Sequence, residues 1–206
     1  MASLNDSIQV ILKHEGGYNC PFPGSGETYR GIDRLYSQPW QGWRLVDDFK
    51  RRGVIPNNCQ RSSEMIVNNT ALNNQVNSWY IANLLKYIPN FNLIANQSVA
   101  NFLADFIWHK PFRAIPIANA VATQLQPNVV TSNSTISNGV IGVINQMPER
   151  FYNMFRQQRI AYYKNPAALN KNWTEKFIKS YNGLMKRVAS FPIALIPNNV
   201  WQWLLA

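Results

Sequence analysis

A mainly α-helical fold with a small β element near the amino end is predicted by three features of the 206-residue sequence. Apolar residues recur at helical spacing, most clearly in "SVANFLADFIWHKP", where Val99, Phe102, Leu103, Phe106 and Ile107 fall on one side of a helix. Gly and Pro crowd the stretch from Asn19 to Gly31, which is too broken for a helix and fits a loop or a short β-hairpin. Hydrophobic residues make up 46% of the chain, enough for a packed core. There is no internal repeat and no linker long enough to separate free domains, so residues 1–206 are expected to form one domain.

The elements follow in order. Asn5, Asp6 or Ser7 can cap a first helix whose apolar side is Ile8, Val10, Ile11 and Leu12; Gly16 and Gly17 stop it, so Glu15 is expected on its last turn. After the Gly/Pro loop, "YRGIDRLYSQ" can pass from an extended piece into a short helix. "GWRLVDDFKRRG" reads as a helix ended by Gly53. From Glu64 to Tyr87 a helix is expected, with Met65, Ile66, Ala71, Val76, Trp79, Tyr80, Leu84 and Leu85 as core candidates. "FRAIPIANAVATQL" is a further helix with Pro116 near its start. The β-branched, polar "QPNVVTSNSTISNGVIGVINQM" begins as a loop or short hairpin. "PERFYNMFRQQRIAYYKN" is a helix with Pro148 in its first turn, "NWTEKFIKSYNGLMKRVASF" is another, and the apolar tail "IPNNVWQWLLA" is expected to pack on the body.

Lys and Arg number 20 against 10 acids, a formal charge of +10. That balance fits either a polyanionic partner, such as nucleic acid, an anionic membrane surface or a bacterial wall, or simple solubility. No basic run exceeds "KRR" at Lys50–Arg52, and no nucleic-acid-binding signature is present, so nucleic acid is not expected as a partner. The apolar runs are too short for a bilayer span, and "MASLNDSIQVILK" lacks a basic start and a long apolar stretch, so no secretory signal is expected. With two histidines and two unclustered cysteines, no metal site and no cofactor are expected. Cys20 and Cys59 pair only if the fold brings them together, and two buried thiols are the plainer expectation.

The chemistry concentrates in "HEGGYNCPFPGSGETYRGID". A carboxylic acid in an apolar, partly enclosed place holds its proton at neutral pH, as the general acid of a glycosidase must. Glu15, beside glycines that let a polymer approach the backbone, has such a setting; taken alone, Glu-Gly-Gly is in most cases a helix C-terminus. The wider pattern of Glu15, Gly16, Gly17, Tyr18, a Pro/Gly loop, then Thr28, Gly31 and Ile32 resembles glycoside hydrolase family 108, the phage-type N-acetylmuramidases. "FRQQRIAYYKN" and "FIKSYNGLMKRV" are similar to its carboxy-terminal helices, through Arg159, Tyr162, Tyr163, Asn182, Gly183 and Arg187.

The resemblance implies a lysozyme-like helical domain, with a catalytic core over 1–147 and a peptidoglycan-binding-like helical region over 148–206 packed on it. It implies hydrolysis of the bond between N-acetylmuramic acid and N-acetylglucosamine, with Glu15 as proton donor. The family's loop aspartates are missing from "NCPFPGSG". Glu27, next to Thr28, is the expected substitute, with Asp33 second, and Thr28 would hold the water of an inverting attack. Gly17, Tyr18, Arg30 and Asp33 are the expected glycan-contacting residues. Such a protein would act as a monomer on peptidoglycan glycan strands, without stable membrane insertion. It would be made in the cytoplasm and act in the periplasm or wall, delivered by a holin-type or secretion partner, or be matched by an immunity protein.

Two other uses of the sequence stand beside this one: a non-catalytic wall-binding or structural protein of the same fold, and a Cys20-dependent amidase or peptidase. Tyr18 serves equally to close the core behind Gly17. Trp40 and Trp43 follow the loop and could stack on sugars, though tryptophan is more often buried. His14 and His109 read as structural.

Overall fold

Eight α-helices, one short 3-10 helix (Phe91–Leu93) and one three-stranded antiparallel sheet account for the regular structure among the described residues. The computed structural model describes residues 1–20, 26–55, 65–165 and 175–191, with backbone alone over 175–180. The expected tail packing of "IPNNVWQWLLA" lies outside these residues.

The chain divides into two units, Leu4–Asn83 and a second formed by Met1–Ser3 with Leu84–Ala206. The boundary expected at 147/148 is not where the division falls, because the helix after it packs on three helices before it.

The first unit opens with α1 (Leu4–Leu12), which buries Ser7, Ile8, Ile11 and Leu12. It stops three residues before Glu15, earlier than expected: Lys13 and His14 form a turn and Glu15 lies on the bend beyond it. Strands β1 (Tyr18–Asn19), β2 (Thr28–Tyr29) and β3 (Ile32–Asp33) follow in the sheet order β1-β2-β3. Tyr18 pairs with Tyr29 and Asn19 with Thr28; Thr28 pairs with Asp33 and Tyr29 with Ile32. Arg30 and Gly31 form the two-residue turn, with φ of 51° and 74°. Positive φ at both central residues gives the twist that a two-residue hairpin requires.

No helix follows β3. The backbone turns instead, and Trp40 and Trp43 close over the sheet, edge to face with ring centroids 5.0 Å apart. Both are buried, donating their indole N–H to Gln75 O and Ser37 O. Helix α2 (Gly42–Arg51) ends as expected at Gly53, whose φ is 70°. The Gly53 N–H reaches Lys50 O and the Val54 N–H reaches Phe49 O, a Schellman closure of the last carbonyls.

Residues 65–69 take no regular structure, so α3 (Thr70–Tyr87) starts six residues later than expected, capped by Asn69, whose side chain accepts the Leu72 N–H. Leu72, Val76, Tyr80 and Leu84 form its buried stripe at a spacing of four. Ile66 and Leu85 are exposed large hydrophobics and Ala71 is exposed, contrary to their expected core placement, while Met65 and Trp79 are partly buried.

The second unit is a helical bundle. Helix α4 (Gln97–His109) is capped by Asn96 and buries all five expected apolar positions. Then come α5 (Pro111–Leu125), with Pro116 exposed inside it, α6 (Asn138–Gln146), α7 (Pro148–Lys164) and α8 (Glu175–Ala189). Helix α7 packs against α4, α5, α6 and α8. The segment expected as a loop or hairpin is a loop only to Ser137, whose hydroxyl accepts the Val140 N–H and starts α6. "GVIGVI" spaces its apolar residues for a helix despite its β-branched composition. No described helix is long and apolar enough to cross a membrane.

Candidate functional site

In a strand successive side chains point to opposite faces, and the register sorts the hairpin residues into two rows. Tyr18, Tyr29 and Ile32 lie on one face and are buried; Asn19, Thr28 and Asp33 lie on the other and are partly open. Glu27, one residue before Thr28, belongs with the buried row. It is 7% exposed, and both of its oxygens are engaged. Arg34 donates to Oε1, while the Tyr18 hydroxyl (2.6 Å) and Lys50 Nζ (2.9 Å) donate to Oε2. Arg34 also grips Asp47 on α2 with both terminal nitrogens, so the network ties the hairpin to that helix.

Burial pushes the Glu27 carboxyl up, but the Tyr18 and Lys50 hydrogen bonds and the charges of Lys50 and Arg34 outweigh it and hold the group below its usual range. Tyr18 is shifted the other way, raised by burial and by its carboxylate partner. Glu27 is thus held ionised within a buried network, on the face opposite the Thr28 side chain with which adjacency had grouped it. A pocket of ≈ 330 Å³ adjoins this network, lined by Gly26, Glu27, Arg34, Leu35, Gln38 and Lys50.

Glu15 sits at the hairpin tip. Its Oε2 lies 2.6 Å from the point a Cβ on Gly31 would occupy, and the Tyr80 hydroxyl lies 3.0 Å from the same point. A Cβ at 31 would displace that carboxylate from its place, and the φ of 74° favours glycine there. Tyr80 donates to Arg30 O (2.8 Å), and the Arg30 N–H donates to Gly17 O (3.1 Å). These two bonds hold Arg30 in a left-handed conformation that a residue with a Cβ adopts at some cost.

The remaining expected residues divide. Asp33 is half-buried on the open row, with Oδ1 accepting the Leu35 N–H at 2.8 Å; Arg30 is half-buried at the tip. Gly17 and Tyr18 are buried and do not present a surface to a polymer. A Cβ on Gly17 would collide with the Met65 backbone, whose carbonyl accepts the Tyr18 N–H. Tyr18 therefore takes the core-closing role of its two readings. Trp40 and Trp43 are likewise core residues.

Tyr80 was expected only as a core residue, and Arg34, Lys50 and Asp47 were not singled out from the sequence. One available signal was strand alternation, which alone puts Glu27 and Thr28 on opposite faces. Cys20 is disulfide-bonded, contrary to the free thiol expected, and an oxidised sulfur is no nucleophile. Cys59 lies outside the described residues. Among those residues no three His, Cys, Asp or Glu side chains gather in a way that could hold a metal.

In the helical unit, Arg159, Tyr163 and Arg187 of the positions matched at the carboxy end join a cluster around Asp105, whereas Asn182 and Gly183 are exposed. Asp105 accepts from Arg159 Nη2 (2.6 Å) at one oxygen and from Arg187 Nε and Nη2 (2.8 and 2.6 Å) at the other. Arg159, fully buried, lies over the rings of Phe102 and Phe106. His109 Nδ1 meets the Tyr163 hydroxyl at 3.0 Å, and burial with the nearby arginine and lysine charges pushes its pKa down to about 3. This cluster joins α4, α7 and α8.

No protein-family model matches the chain, and no curated protein matches it.

Proposed function

We propose that residues 4–83 carry a glycosidase site that hydrolyses the glycan strands of peptidoglycan as an N-acetylmuramidase, within a lysozyme-like fold. The observation that carries this reading is the packing of the Glu15 carboxylate against Gly31 at the tip of a hairpin whose open face presents Thr28 and Asp33. Glu15 protonates the leaving sugar oxygen. Thr28 and Asp33, cross-strand neighbours, orient the water that attacks the anomeric carbon from the opposite side, as in an inverting enzyme. Relative to the sequence-based expectation, the water-handling carboxylate moves from Glu27 to Asp33. The basic chain favours an anionic wall.

The test is mass spectrometry of muropeptides released from sacculi by the wild type and by Glu15→Gln. The expected products from the wild type end in reducing N-acetylmuramic acid, and the variant releases none while keeping its fold. Reducing N-acetylglucosamine, anhydro products or free stem peptides would reject the assignment.

The commitment of Glu27 to a structural network favours a second reading, a wall-binding protein of the same fold without catalysis. Binding to sacculi with no release of reducing ends by the wild type would select it.

A further inference from the structure

The charge of this chain is divided very unequally. Residues 4–83 hold eight Lys and Arg against seven acids; residues 84–206 hold twelve against three, so nine of the ten net positive charges belong to the helical unit. Within it, one corner combines that charge with exposed apolar surface. Phe112, at the start of α5, is 81% exposed. Lys110 and Arg113 flank it and are exposed. The Arg113 guanidinium lies 6.0 Å from the ring centroid of Tyr162, on the last turn of α7, a helix that ends at the exposed Lys164.

Within the helical unit, neither of the acids whose side chains are described is paired with these cations. Asp105 is sealed between Arg159 and Arg187. Glu149 stands at the other end of α7, about 22 Å along the helix from Lys164.

We infer that this corner is a docking surface for an anionic lipid bilayer, with Phe112 entering the interface and Lys110, Arg113 and Lys164 meeting the headgroup phosphates. Cations alone would serve any polyanion. An exposed phenylalanine between Lys110 and Arg113 in the chain adds a requirement that a soluble polymer does not meet, because its ring gains only from an apolar layer beneath the headgroups. The contact is peripheral, in keeping with the absence of a spanning helix among the described residues.

The surface is independent of the glycosidase reading, and so is its test. Sedimentation is measured with vesicles of pure phosphatidylcholine and with vesicles in which phosphatidylglycerol replaces a quarter of it, beside binding to soluble polyphosphate. The wild type is expected to sediment with the anionic vesicles and not with the neutral ones. Phe112→Ser is expected to weaken vesicle binding about tenfold while leaving polyphosphate binding unchanged. The pair Lys110→Glu with Arg113→Glu is expected to weaken both, vesicles by about twentyfold or more. Phe112 is exposed, so its replacement leaves the bundle folded. Equal vesicle binding by Phe112→Ser and wild type would overturn the proposal in favour of a soluble polyanion, and failure of the wild type to bind anionic vesicles would overturn it outright.

Discussion

Two carboxylates in this protein do the same thing in different surroundings. Glu27 is held by Arg34 and Lys50, and Asp105 by Arg159 and Arg187. In both, burial pushes the carboxyl up and its partners bring it below its usual range: the Tyr18 hydroxyl with two cations at Glu27, two arginines at Asp105. Asp105 and Arg159 are fully buried, with side-chain exposures of 0%, and the cluster joins three helices of a bundle. The cations on Glu27 keep 31% and 26% of their side-chain surface, and the network joins a small sheet to one helix. The first arrangement fixes a fold; the second fixes the shape of a local site. A buried charge left unpaired cannot find water, whereas Arg34 and Lys50 can turn outward.

The comparison breaks most sharply at Asp105. Asp105→Ala strands Arg159 in an aromatic cage and is expected to cost about 3–5 kcal/mol, read from urea denaturation. A loss below about 1 kcal/mol would mean that the bundle does not depend on the cluster. Glu27→Gln is expected to cost less, about 1–2 kcal/mol, because its partners can be resolvated; equal losses at the two sites would erase the distinction drawn here.

The smallest effect is one of pH. The folded His109 stays neutral down to about 3, while the unfolded chain takes up that proton below its ordinary value of 6.5. The unfolded state therefore binds more protons across that interval, and stability falls as pH drops through it. Glu27 and Asp105, both depressed, add their own losses only below the ordinary carboxylate range, so the slope between about pH 6.5 and 5 belongs to histidine, and the difference made by replacing His109 is its share. His109→Gln is expected to flatten that slope in thermal melts; an unchanged slope would assign it elsewhere.

The bundle was the more legible of the two regions. The helical spacing of Val99, Phe102, Leu103, Phe106 and Ile107 reports a periodicity that packing then enforces, and all five are buried. Pro148 and Gly53 marked helix ends through backbone constraints that tertiary contacts do not alter. Propensity misled in "GVIGVI", where β-branched residues entered a helix because their spacing put Val140, Ile141, Val143 and Ile144 into the core. The Met65–Asn69 segment failed as helix because its backbone accompanies the hairpin: Met65 accepts from Tyr18, and the Val67 N–H reaches the Tyr29 hydroxyl at 3.2 Å.

At the site, Glu15 and Gly31 were singled out from the sequence, and the structure brings them into contact. Asp33, the cross-strand neighbour of Thr28, was placed second to Glu27 because adjacency in sequence was weighed above alternation along a strand. Nor was the Glu27 network, whose cations arrive from a turn and from α2.

In the proposed site the two faces of the hairpin divide the labour, with Thr28 and Asp33 handling water and Glu27 supporting the scaffold. The direct measurement is the rate of reducing-sugar release from sacculi by wild type, Asp33→Asn and Glu27→Gln, each with its unfolding free energy. The account predicts release by the wild type, loss of release without loss of stability in Asp33→Asn, and the reverse in Glu27→Gln. A Glu27→Gln protein as stable as wild type but devoid of release, beside an active Asp33→Asn, would contradict it.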